Sequence, residues 1–186
     1  MNKKEANRKL EKGVMRSDAF LVAGAFSEGA SIGYKSGTFF GTACRLGSLE
    51  IVEMFVLDHS FVKKANHYQK NYVNPSFHEG FTYAIANGRL EVVQFLNESP
   101  IYQKLKKLDN FIVDGLEFAV KNKHPHVVDY ILRNSSVLSS EEFKKNNFAQ
   151  HIKNSIAPVI SFIQLETAIG ITSVENTRHE KSKIKI

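Results

Sequence analysis

The stretch TFFGTACRLGSLEIVEMFVL, Thr38 to Leu57, decides the fold. Its first half places Phe40 and Ala43 three apart, on one face of a helix. Gly47 follows, and glycine accepts the left-handed conformation that ends a helix. The second half carries Ile51–Val52 and then Met54–Phe55–Val56, so it is apolar on more than one side. A helix with one packed face has no need of this; a helix held between two neighbours does. The stretch therefore predicts two short helices, a tight turn between them, and a neighbour on either side.

Those neighbours are in the sequence. EGFTYAIANGRLEVVQFLNE (Glu79 to Glu98) and DGLEFAVKNKHPHVVDYILR (Asp114 to Arg133) align with it without gaps. NNFAQHIKNSIAPVISFIQL (Asn146 to Leu165) is a weaker fourth copy. Phe40, Phe81, Leu116 and Phe148 form an apolar column. Ala43, Ala84 and Ala119 form a small one, where the fourth copy has His151. Val52, Val93, Val128 and Ile160 agree, as do Phe55, Leu96, Ile131 and Ile163. Pro125 and Pro158 stand where the second helix should start, and proline is tolerated in a first turn. The expected fold is all-α, a helical stack of about four helix pairs.

The segments AxxxGxLEIV (Ala43 to Val52) and AxxxGxLEVV (Ala84 to Val93) resemble the core of the ankyrin repeat, and Thr38 stands where that family's TPLH signature has its threonine. The resemblance spans residues 37–169. It implies a helical solenoid whose concave side holds a protein partner. The departures are specific. No copy has the whole TPLH, and Lys123 and Ser155 stand where the glycine belongs. Ala43 to Ala84 is 41 residues and Ala84 to Ala119 is 35, against about 33 for a standard repeat. The excess lies in Ser60 to Phe77, and helix-like segments also follow Pro100 and Ser139. These predict short extra helices in place of the family's hairpin fingers.

The ends read differently. SDAFLVAGAFSEG, Ser17 to Gly29, resembles a lone capping helix with Ser17 or Asp18 as its N-cap. Lys3, Lys4, Arg8, Lys9 and Lys12 make residues 1–16 read as a basic tail. Residues 17–172 form the expected repeat domain, and 173–186 a disordered basic tail.

Composition limits the function. Cys44 is the single cysteine, so no internal disulfide can form. The polar start lacks the apolar core of a secretory signal, and Ala19 to Phe26 is too short to cross a bilayer. A cytoplasmic protein is expected, and a secreted effector working in a host cytosol has the same features.

No catalytic constellation stands out. His59, His67, His78, His124, His126, His151 and His179 form no HExxH arrangement. His124-Pro125-His126 is the nearest approach to a metal pair and reads better as surface histidines at a helix start. Cys44 sits beside Ala43 in a packed column, which fits a buried thiol better than a nucleophile. Lys35-Ser36 in the glycine-rich run after Gly29 lacks phosphate-loop spacing. The chain is expected to bind rather than catalyse, with no metal or cofactor.

Carried over residue by residue, the ankyrin resemblance implies partner-binding positions at the ends of the first helices: Arg45, Leu46, Asn87, Lys121 and Asn122. Just before those helices it implies Gly37, His78 and Val113. The partner expected is a protein. The alternative is an anionic lipid headgroup or nucleic acid, held by a lysine stripe of Lys63, Lys64, Lys104, Lys107 and Lys144 on the inter-repeat segments.

Overall fold

The structure is a computed structural model that describes residues 2–31, 38–57, 73–99, 109–134 and 150–168. Nine helices lie among them, and no strand. They are α1 (Lys3–Met15), α2 (Ala19–Ser27), α3 (Thr38–Leu46), α4 (Leu49–Leu57), α5 (Val73–Ala86), α6 (Leu90–Glu98), α7 (Asp109–Lys121), α8 (Pro125–Asn134) and α9 (Gln150–Ala168). The first eight pair as hairpins. The first helices α1, α3, α5 and α7 pack in sequence as one row, and the second helices α2, α4, α6 and α8 as another. The helix α9 lies against both α7 and α8.

Four turns of one geometry make the hairpins. Asp18, Ser48, Arg89 and His124 donate their N–H to the carbonyls of Gly13, Ala43, Ala84 and Ala119, all at 2.9–3.0 Å. The residue before each donates to Val14, Cys44, Ile85 or Val120 at 3.1–3.2 Å. This is the six-to-one and five-to-two bonding that closes a helix C-terminus, and it needs a left-handed residue. Ser17 (φ 54°), Gly47 (81°), Gly88 (69°) and Lys123 (59°) supply it. Glycine is required twice for a second reason. A Cβ on Gly88 would stand 2.5 Å from Nδ1 of His124, and one on Gly47 2.7 Å from Cδ of Arg89. Arg89 and His124 occupy one column, so each hairpin lays a side chain across the turn of the hairpin before it. Lys123 ends the last hairpin and is exposed, so its side chain has room.

The first hairpin corrects the expected N-terminus. Residues 1–16 are not a solvated tail but hold a helix of the first row, and Ser17 to Gly29 is not a lone cap but contains that helix's partner. Ala6, Leu10 and Val14 recur every four residues and are wholly buried. Asn2 Oδ1 accepts the N–H of Lys4 at 3.0 Å, and Glu5 Oε2 accepts that of Asn2 at 3.3 Å. These two bonds close a capping box. Lys9 Nζ reaches Glu28 Oε1 at 2.6 Å and ties α1 to the end of α2. The N-cap of α2 is Asp18, whose Oδ1 accepts the N–H of Leu21 at 2.8 Å.

The fourth copy also differs. Residues 150–168 form one continuous helix with Pro158 inside it, not two helices divided before Pro158. The two positions before Pro158, Ile156 and Ala157, offer no capping side chain, and the continued helix buries Ile156. Among the described residues the hairpins are α1–α2, α3–α4, α5–α6 and α7–α8, so the first of them is at the N-terminus and the fourth copy contributes a single helix.

One core runs through both rows. Phe55 is its clearest joint. Its ring meets Phe26 of the first hairpin at 5.5 Å and Phe40 of its own at 6.0 Å, both edge to face. Burying such a ring contributes about 2–3 kcal/mol.

The expected extra helices between repeats, apart from residues 73–77 at the start of α5, lie outside the described residues, as does the tail 173–186.

Candidate interaction surface

The packed column Gly13, Ala43, Ala84 and Ala119 faces the interior of the first row, and every one of its members is buried. The residue before each points elsewhere, because one step round a helix is about 100°. Those residues are Lys12, Thr42, Tyr83 and Phe118. Tyr83 is 42% exposed and Phe118 51%. The Tyr83 ring lies across Gly41 of α3, 3.4 Å from where a Cβ would stand there. Phe118 carries Lys121 above it, with Nζ 5.7 Å from the ring centre.

The expected binding residues separate into three groups. Arg45 and Lys121 are exposed, on equivalent positions of α3 and α7. Lys121 Nζ also pairs with Glu117 Oε1 at 2.5 Å, one turn back on the same helix. Leu46 and Asn87 are half-buried, and Asn87 Nδ2 returns to the carbonyl of Tyr83 at 2.8 Å. Asn122 is exposed, but its Nδ2 crosses to the carbonyl of Ala86 at 2.8 Å. This holds α7 to α5.

His78 is a correction. It lies inside α5, not before it, and is only 7% exposed. Burial lowers its pKa to about 4. Val113 is likewise buried inside α7. Both first helices begin earlier than the resemblance implied, at Val73 and Asp109, so these positions face the core. Gly37 and the lysine stripe Lys63, Lys64, Lys104, Lys107 and Lys144 lie outside the described residues.

The rings of Tyr83 and Phe118 are what the sequence reading passed over. Their signal was available as a column one step from the small one, occupied by Thr42, Tyr83 and Phe118. Comparing copies for agreement finds the core, whereas surface positions differ between copies.

The chemistry elsewhere is that of packing. Cys44 is wholly buried, which pushes its thiol pKa well up and keeps the sulfur protonated. The ring of His124 lies against Gly88, while His126 is exposed on α8. Among the described residues no group of three His, Cys, Asp or Glu side chains is placed to hold a metal ion. No helix among them is long and apolar enough to cross a membrane.

No protein-family model matches the chain, and no curated protein or solved structure matches it.

Proposed function

We propose that this chain is an interaction module, an ankyrin-like helical solenoid that binds a partner protein on the exposed face of its first-helix row. One observation carries the reading. Successive first helices present Arg45, Tyr83, Phe118 and Lys121 outward together, on helices whose turns are bonded identically. Tyrosine and arginine are the side chains that dominate protein interfaces, because they bury large rigid area with a polar end. Phenylalanine joins them in the enriched core of such interfaces. Side-chain joints between α3 and α5 and between α5 and α7 fix the spacing of these anchors. A preformed face binds with little ordering cost. The role is binding rather than catalysis, and the single buried thiol suits a reducing cytosol, including that of a host cell entered by an effector.

The test is capture from a eukaryotic lysate by the native chain and by a variant carrying Arg45→Glu, Tyr83→Ala and Lys121→Glu, with circular dichroism to show that both fold. A protein held by the native chain and absent from the variant supports the reading. The same proteins on both would sink it.

A further inference from the structure

The exposed face of the first row changes character from one end to the other. Five residues before the packed small column stand Arg8, Thr38, Glu79 and Asp114, on α1, α3, α5 and α7, and all are exposed. One residue before it, Lys12 gives way to Thr42 and then to the two rings. The row thus begins with two cations and ends with two carboxylates beside two aromatic faces.

That order is complementary to its own reverse. Turn a second copy by half a rotation about an axis parallel to the helices and passing between α3 and α5. Its α7 then lies over α1, and its α5 over α3. Arg8 meets Asp114 of the second copy. Lys12 comes to the exposed side chain of Phe118, on whose ring Lys121 of that copy already lies. Thr42 meets Tyr83. A two-fold axis repeats each contact at the other end. Like charges also come together, Glu11 with Glu117 and Lys12 with Lys121, but Glu117 and Lys121 already pair with each other within one copy.

We propose that the chain pairs with a second copy of itself through this face. The pairing rests on the reading of the face as an interaction surface and names one occupant for it. Because its charges are exposed, salt screens it. A different partner taking the same face displaces the second copy.

Sedimentation velocity of the full chain tests this, over a concentration series at low ionic strength and again in roughly 1 M salt, where the Debye length is about 3 Å. The native chain is expected to sediment faster with rising concentration at low salt only. Arg8→Glu and Asp114→Arg, both at exposed positions, should each weaken pairing by roughly tenfold or more, as opposed charges become alike. Mixing the two variants should restore it, because each swapped charge then meets an opposite one while the other end stays native. Both variants and the mixture keep a net positive charge, so bulk attraction does not produce the rescue. A native chain that stays monomeric at low salt overturns the pairing, and lysate capture through Tyr83 and Arg45 would still leave the interaction reading standing. Association that ignores both substitutions, or that the mixture fails to restore, overturns it equally.

Discussion

The amide of Asn122 donates to the carbonyl of Ala86 at 2.8 Å, from the turn of one hairpin to the helix end of the one before. Arg89 Nε does the same to the carbonyl of Arg45 at 3.0 Å. Arg45 and Ala86 are equivalent positions, so one orphan acceptor is satisfied twice, by donors of different chemistry. The last carbonyls of a helix have no partner within it. Removing the donor by Asn122→Ala should therefore destabilise the chain by about 1 kcal/mol, read as a lower midpoint in urea unfolding. Arg89→Ala should act similarly. Midpoints unchanged in both variants would show that these bonds do not hold the hairpins together.

Gly88 tests the turn itself. Its φ of 69° is strained for any residue with a Cβ, at about 1 kcal/mol or more. The added methyl would also stand 2.5–2.9 Å from three atoms of the His124 ring. Gly88→Ala should thus lose about 2 kcal/mol or more. Pairing it with His124→Ala separates the two causes in a double-mutant cycle. The steric part should vanish and the backbone part should remain. A cycle with no coupling would mean that the ring moves aside freely.

The hairpins of residues 38–57, 79–98 and 114–133 were legible because core columns must agree between copies: Phe40, Phe81 and Leu116 fill equivalent space. The helix α1 was not, because seven charged residues among positions 3–12 hide the four-residue spacing of Ala6, Leu10 and Val14. Its capping pair, Asn2 and Glu5, was a local signal left unread. The fourth copy misled in the opposite way. Pro158 marks a helix start only when a turn precedes it, and residues 155–157 stay helical. Arg45 and Lys121 are exposed near the ends of their helices, where the columns put them, whereas the earlier start of α5 buries His78. Tyr83 and Phe118 escaped notice because no apolar spacing marks a residue that faces water.

The first hairpin yields a direct test of that correction. A solvated tail could be removed without consequence. Leu10 is wholly buried between α1 and the rest of the core, so Leu10→Ala should cost about 2–5 kcal/mol. Removing residues 1–16 exposes the end of α3 and the inner side of α2, and should lower the thermal midpoint by several degrees or prevent folding. Arg16→Ala, at an exposed position, should leave the midpoint nearly unchanged. A truncated chain as stable as the native one would return residues 1–16 to the status of a tail.

His78 makes stability depend on pH in a definite direction. Burial lowers its pKa from 6.5 to about 4. The folded chain therefore holds this imidazole neutral where the unfolded chain has begun to protonate it. Protons bind the unfolded state preferentially as pH falls, so stability is intact above about pH 6.5 and declines through that value toward pH 4. Between about pH 6.5 and 5.5 the decline should be about 1 kcal/mol. Most carboxylates titrate below that window, which makes it the place to look. Urea unfolding of the native chain and of His78→Gln at each pH provides the measurement. The variant shifts the curve as a whole, because a buried side chain has changed, but it should flatten that one segment. If the slope of the variant between pH 6.5 and 5.5 matches that of the native chain, another group titrates there and His78 is not the cause.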